Sequence, residues 1–295
     1  MDGVINIFKP RGMTSHDAVN ILRRLLNTKK VGHTGTLDPN ATGVLPICIG
    51  KGTRISEYLL EVDKEYIGEL TLGFATDTQD GDGRILLSSS KTVNSGEIEN
   101  AIEKYRGIIN QTPPMYSALK VNGKKLYELA REGKTIERES RKINIKDIKI
   151  LNNHDNREII FYTKCSRGTY IRTLCDDIGK DLGTYGYMSY LIRVGVGIFK
   201  IENAYSMEYL KTLSRDEISE IITPLDKAVE HLEKIIVADG LYDKIINGVS
   251  IKMNYSEELS LAVPYRIYSR NEFIGIGQII KREDNLYLKL NKVFI

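Results

Sequence analysis

A chain of 295 residues with 41% hydrophobic and 27% charged residues has the composition of a globular protein, long enough for one large domain and a small one. A net charge of +3 excludes a uniformly polybasic or acidic chain, and nothing approaches the roughly 18 consecutive apolar residues of a membrane span. Cys48, Cys165 and Cys175, odd in number and without C-x-x-C spacing, argue against a disulfide framework or structural zinc and for a reducing cytoplasm.

Val4–Phe8 predicts a short strand that ends at Lys9-Pro10-Arg11-Gly12, a turn with two cations. Ser15 reads as the N-cap of a helix whose apolar stripe is Ala18, Ile21, Leu22 and Leu25, with Arg23, Arg24, Lys29 and Lys30 off that face. The next stretch, VGHTGTLDPNATGVLPICIG over 31–50, organises the rest of the chain. Its one carboxylate, Asp38, precedes a proline, which keeps it out of the helical region and in an extended or turning loop. Gly32, Gly35 and Gly43 let the backbone approach a ligand, and Val44–Ile49 reads as a buried strand holding the loop. An Asp between Leu and Pro can simply close a turn, so the remainder of the chain must decide its role.

A helix is expected from about Thr53 to Leu60, then a strand at Lys64–Gly73 with Tyr66, Leu70 and Leu72 on one face. The acidic loop Asp77–Gly83 fails as a calcium loop, because the best register puts Thr78 and Ser89 where the first and last carboxylates belong. Gly50-Lys51-Gly52 and Gly275-Ile276-Gly277 likewise fail as phosphate loops. Asn94–Glu97 resembles a capping box opening a helix to about Tyr105. The Pro-stiffened segment Gln111–Lys120 leads into Lys124, Lys125, Arg131, Lys134, Arg138, Arg141 and Lys142. Strands follow at Arg141–Ile150 and Glu158–Lys164. A helix then buries Ile171, Leu174, Cys175, Ile178 and Leu182, and a core strand runs Tyr190–Phe199. Residues 201–240 are acidic, helical and linker-like. The chain closes with short strands at Leu261–Tyr268, Phe273–Lys281 and Leu286–Leu290.

Charge is unevenly spread. Residues 1–60 carry 8 Lys/Arg against 4 Asp/Glu and residues 120–149 carry 10 against 5, whereas residues 201–240 carry 4 against 9. Two basic segments on a nearly neutral chain suit a polyanion on one face. Arg172 falls in the first turn of its helix, where the helix dipole repels a cation, so it calls for a carboxylate partner. None of the four His lies in a nucleophile–base arrangement, His33 has no metal-ligand spacing, and no second carboxylate stands near Asp38 for glycoside hydrolysis. One loop aspartate, one arginine in need of a carboxylate, a strand tyrosine and basic segments fit cofactor-free chemistry at a sugar or base inside a nucleic acid.

At these residues the chain resembles the bacterial tRNA pseudouridine synthases that act on uridine 55 of the T-loop, the TruB family. The resemblance runs through Lys9-Pro10-Arg11-Gly12-Met13-Thr14-Ser15, Gly32–Pro39 with Ala41–Pro46, Lys64-Glu65-Tyr66, Asp77-Thr78-Gln79-Asp80, Pro113–Lys120, Cys165–Arg172 and Leu191-Ile192-Arg193. It implies that Asp38 is the catalytic aspartate, acting at the ribose while the N-glycosidic bond breaks and uracil rejoins through C5. By the same resemblance Arg172 pairs with Asp38 through a two-pronged fork in a dry pocket. Tyr66 stacks on the uracil, Tyr170 and Leu191 wall the pocket, and His33 sits in the T-loop beside the flipped base. Lys9 and Pro10 brace the active loop. The implied fold is α+β: a catalytic domain (1–234) on a mixed, largely antiparallel sheet, an RNA-gripping insertion near 84–142, and a small PUA-like β domain (235–295). The implied partner is tRNA, with no cofactor, no metal, no membrane and no obligatory protein partner, the chain acting as a cytoplasmic monomer. Two rivals are an idle RNA-binding protein, which needs no Asp–Arg pair, and a base-cleaving hydrolase, which needs a water-activating group beside Asp38 that the loop lacks.

Overall fold

Strands Gly3–Lys9 and Thr42–Ile49 are apolar on both faces, and they pair antiparallel along their whole length at the centre of the protein, buried on both sides. The computed structural model describes residues 1–121, 123–253 and 260–295. Around that pair grows a ten-stranded sheet, whose path is Tyr205–Ser206, Gly3–Lys9, Thr42–Ile49, Gly186–Val196, Lys64–Leu72, Glu158–Cys165, Arg141–His154 and Gly107–Gln111. Val31–His33 and Phe199–Lys200 pair off this path. Only the contacts of Tyr205–Ser206 with Gly3–Lys9 and of Gly186–Val196 with Thr42–Ile49 are parallel. A mixed, largely antiparallel sheet is the expected α+β class.

The two halves of the sheet meet at a narrow parallel seam, Ile192 against Thr42 and Arg193 against Gly43. Gly43 is required there. Its φ is +111°, and a Cβ would stand 2.2 Å from the Arg193 carbonyl oxygen. The Asp38 loop enters the sheet at this seam.

One core packs the Ile171–Asp181 and Ser95–Glu103 helices against Leu70, Ile145, Ile159 and Phe161. A second packs the Ser15–Leu25 helix and Met207, Leu210 and Ile218 against Ile5, Ile7, Leu45 and Ile47. A third joins Val4, Val44 and Cys48 to Ile276 and Phe294 of the C-terminal unit. That unit is a five-stranded sheet ordered Lys234–Ile236, Pro264–Ser269, Glu272–Arg282, Asn285–Val293 and Ile251–Met253, with its own apolar core.

Several boundaries differ from expectation, each for a local reason. Thr14, not Ser15, caps the first helix: its hydroxyl accepts from Asp17 N, and the Asp17 carboxylate accepts from Thr14 N. The 53–60 helix divides into a 3-10 turn, Gly50–Ile55, and an α-helix, Ser56–Glu61, because two glycines weaken its start. The strand expected from Leu261 begins at Pro264, and the core strand expected at Tyr190–Phe199 begins at Gly186 and ends at Val196. Within 84–142, the Ser95–Glu103 helix and Gly107–Gln111 strand belong to the main sheet and its core. Beyond Gln111, strands Lys120–Val121 and Lys124–Lys125 and the helix Leu126–Arg131 stand off that sheet. Among the described residues no helix is long and apolar enough to cross a membrane.

Candidate active site

The Asp38 loop runs from strand Val31–His33 to strand Thr42–Ile49, and its backbone is held almost atom by atom. Gly35 O and Thr36 O accept from Arg193 Nη2 and Nη1 at 3.3 and 3.4 Å. Leu37 N donates to the buried Ser15 hydroxyl at 2.9 Å, and that hydroxyl donates back to Leu37 O at 3.0 Å. Asp38 O accepts from Ala41 N, and Pro39 O accepts from both Gly12 N and Lys9 Nζ. Leu37 and Ala41 plug the loop into the first core. Lys9 Nζ also donates to Pro10 O and Met13 O, which makes it the expected brace under the loop. Burial, and then the nearby Arg193, lower Lys9 to about 8, against a smaller upward pull from Asp38.

From this fixed backbone the Asp38 carboxylate reaches Arg172, whose Nε lies 3.0 Å from Oδ2. The two-pronged fork is not formed. Arg172 Nη1 donates to Thr78 O at 3.1 Å and stands 3.7 Å from Asp80 Oδ2, while Nη2 donates to Tyr116 O at 2.8 Å. Three segments converge on this one side chain, and each takes a nitrogen. Nor is the pocket dry: the Arg172 side chain is 7% exposed but that of Asp38 is 43% exposed, so the pair opens to solvent on the carboxylate side.

The 77–83 loop is fixed from the same helix. Gln79, at φ +63°, donates from Nε2 to Asp176 Oδ2 at 2.6 Å and accepts from Thr173 Oγ1 at 2.8 Å. Asn40 Nδ2 hydrogen-bonds the Asp82 carboxylate and ties this loop to that of Asp38. Burial raises the Asp80 carboxyl above its ordinary range, with Thr78 and Arg172 pulling it back.

Tyr66 lies on the core face of the Lys64–Leu72 strand, opposite Arg193 in the ladder, half-buried against the first core. Burial raises its phenol, Arg193 opposes that rise, and Asp38 adds to it. Tyr170 caps the Arg172 helix, and burial raises its phenol as well, with Arg172 and Asp38 among the charges acting on it. Its backbone N and O are both bonded by the Gln111 side-chain amide, at 2.8 and 3.0 Å. Leu191 is buried in the same core, paired with Gly68. His33 stands apart at the end of its strand, its Nδ1 accepting from Gly35 N at 3.3 Å, and burial lowers its pKa. Arg172 thus meets Asp38 directly, and Tyr66 and Tyr170 both lie close enough to feel the Asp38 charge, whereas His33 is tied to the start of the loop at Gly35.

Sequence reasoning gave no role at the site to Asp80, Arg193 or Gln111, and read Ser15 only as a helix cap. Arg193 carried a signal, a charge in an apolar strand; the others act across 22 to 92 positions of sequence and show no local pattern. Among the described residues no group of three or more His, Cys, Asp or Glu could hold a metal ion. A cavity of about 380 Å³ on the opposite face of the Tyr66 strand is lined by Glu65, Lys164, Lys200 and His231, among others. There Glu65 is paired with Lys200 at 2.8 Å and Lys164 at 3.8 Å.

Residues 23–171 match the family model described as TruB family pseudouridylate synthase, N-terminal domain, and residues 172–230 match that of the tRNA pseudouridylate synthase B C-terminal domain. A tRNA pseudouridine synthase B of Alkaliphilus oremlandii is 46% identical over 98% of this chain and 97% of its own. That of Clostridioides difficile is 43% identical over the full length of both. The chain belongs to the TruB family of pseudouridylate synthases. Among solved structures, it is similar to a Cbf5–Nop10–Gar1 complex, with a TM-score of 0.79, 27% identity and coverage of 99% of this chain and 85% of the other. A second, an H/ACA RNP bound to a substrate RNA, gives 0.76 and 25%, with 99% and 85% covered. The boundary between the two TruB models falls inside the Ile171–Asp181 helix, between Ile171 and the arginine that meets Asp38. The TruB fold here ends in a PUA-like β unit.

Proposed function

We propose that this pseudouridine synthase isomerises uridine 55 in the T-loop of tRNA, with Asp38 as the catalytic carboxylate. The N1–C1′ bond breaks with its electron pair leaving on N1. The uracil turns, C5 bonds to C1′, and the proton lost from C5 is balanced by one gained at N1. Asp38 acts on the ribose, as nucleophile at C1′ or as base at C2′, and Arg172 orients it for either. Tyr66 stacks on the flipped uracil, Tyr170 and Leu191 wall the pocket, and His33 wedges the T-loop. Flipping costs a few kcal/mol and stacking returns roughly 1–3 kcal/mol. That near balance leaves the basic segments, including the RNA-gripping stretch 84–142, to hold the flipped state through phosphates. In this reading residues 1–234 are the catalytic domain and 235–295 a small accessory domain, and the protein acts in the cytoplasm as a monomer without cofactor.

The observation that carries the reading is the 3.0 Å contact between Asp38 and Arg172, made from a loop whose carbonyls are nearly all bonded. The names of the full-length relatives support tRNA as the RNA. The test is incubation with an unmodified tRNA transcript, followed by base-specific chemical mapping of pseudouridine. A single new pseudouridine at the T-loop position is expected. Product at another position, or release of free uracil, would overturn the assignment.

A further inference from the structure

Arg193 is among the largest fully buried side chains of the molecule, 2% exposed. A cation taken that far out of water is ordinarily matched by a carboxylate. Among the described residues none forms an ion pair with it. Its fork serves three backbone carbonyls instead: Nε donates to Val44 O at 2.7 Å, and Nη1 and Nη2 to Thr36 O and Gly35 O. One end of the fork therefore lies on the strand that follows the Asp38 loop, the other on the loop itself. Lys9 does the matching work on the far side of Asp38, through Pro39 O. The catalytic loop hangs between two buried cations, one permanent and one able to lose its proton.

The surroundings make that charge costly, which argues that it serves more than packing. Lys9 and Lys64 face Arg193, each lowered to about 8 by burial first and by Arg193 second. His33 is lowered by burial and Arg193 as well, with His16 adding to it, and Tyr66 faces Arg193 across the ladder. Against that repulsion Asp38 raises Lys9, and Cys165, Glu61 and Asp63 raise Lys64. Lys64 spends its own donors on Leu60 O and Val62 O. A neutral side chain of similar volume would relieve the repulsion, but it would lose the charge-assisted bonds to the loop carbonyls.

We infer that Arg193 is a positioning residue for the reaction: its charged fork fixes Gly35 and Thr36 to the strand at Val44, and so sets where Asp38 meets the ribose. The inference rests on the reading of Asp38 as the catalytic carboxylate. Arg193 touches no reacting atom and acts through the loop, and it also hydrogen-bonds the Tyr66 phenol.

The test uses the full chain and an unmodified tRNA transcript, with Arg193→Gln and Arg193→Lys. Single-turnover rate at saturating tRNA, tRNA affinity and melting temperature are measured from about pH 6 to about pH 9, where a buried amine titrates. Arg193→Gln keeps donors but no charge. Its rate should fall on the order of 100-fold near pH 6, where Lys9 is protonated in both proteins, the cost of a misplaced group, with tRNA affinity little changed. Arg193→Lys places a titratable ammonium against Lys9, Lys64 and His33, where arginine would stay charged. Its pKa is pushed down by burial and by those cations, so the charge is present at the acidic end and lost as pH rises. The rate relative to wild type at the same pH should therefore be highest near pH 6 and decline toward pH 9. A folded Arg193→Gln protein with wild-type rate overturns the inference. So does an Arg193→Lys protein whose relative rate is flat with pH, since a packing role alone would give that. If Arg193→Gln does not fold, the Arg193→Lys profile decides. Wild-type protein that makes no pseudouridine in tRNA would instead sink the functional reading itself.

Discussion

At Arg172 the local and the tertiary preferences are opposed. A cation in the first turn of a helix is disfavoured by about 0.3–1 kcal/mol, and burial adds to that. Contacts to Asp38 and Asp80 and bonds to Thr78 O and Tyr116 O offset the penalty. That opposition made Arg172 visible in the sequence, but its division among three segments could not be read there, because the acceptors are carbonyls that any residue supplies. Arg172→Lys keeps the charge and loses the fork. An ammonium can meet Asp38 but cannot also hold Thr78 O and Tyr116 O in their directions. The single-turnover rate should drop on the order of 100-fold, and a rate within a few fold of wild type would show that the three-way geometry is dispensable. Asp38→Asn is nearly isosteric and leaves the Ala41, Lys9 and Arg193 bonds of the loop in place. It should cost on the order of 10⁴-fold or more in rate with unchanged melting temperature and tRNA affinity; residual turnover within tenfold would remove Asp38 from the chemistry.

Among the elements, the first helix separates stability from function at two adjacent positions. Thr14 caps it by an exposed reciprocal bond with Asp17, while Ser15, one residue on and buried, turns its hydroxyl to Leu37 beside Asp38. Thr14→Ala should lower stability by about 1 kcal/mol, the usual worth of such a cap, and leave turnover unchanged. Ser15→Ala strands a buried N–H and C=O in the loop and should cost about 1–3 kcal/mol, with a clear fall in single-turnover rate as well. Denaturant titration and rate measurements on both variants check this, and equal effects on rate would contradict the division. The sequence showed that a helix starts here because Ala18 and Leu22 recur at helical spacing. It did not show which hydroxyl is the cap, because both are good caps and only the fold draws one to Leu37. The long strands were legible by alternation or by unbroken apolar runs. Lys234–Ile236 and Ile251–Met253 have three residues each, too few to show a period, and pair only because the longer strands beside them are already set.

The whole molecule sets the Asp38–Arg172 pair beside the parallel seam of the sheet and places charge on a projection away from it. The C-terminal sheet is joined to the core beneath the main sheet through Ile276 and Phe294, and Lys51 and Arg54 donate to the carbonyls of Phe294 and Val293. The segment beyond Gln111 differs. Lys125 and Arg131 both lie over the Tyr127 ring, at 5.4 and 5.3 Å, and Lys124 is exposed nearby. Among the described residues none of these three cations forms an ion pair, which leaves them available to phosphates. Neutralising Lys124, Lys125 and Arg131 together should weaken tRNA binding and flatten the dependence of log affinity on log salt, by roughly 0.7–0.9 for each phosphate no longer neutralised. The single-turnover rate at saturating tRNA should change far less, because Asp38, Arg172 and Tyr66 lie on another part of the chain and keep their partners. Tyr66→Ala should do the reverse, slowing the chemical step without altering the salt slope, since a stacked base carries no counterion to release. An unchanged slope in the triple variant would make the segment a solvated surface. The grip on tRNA would then move to the basic residues of the C-terminal sheet, where Lys281, Arg282 and Lys289 lie on two adjacent strands.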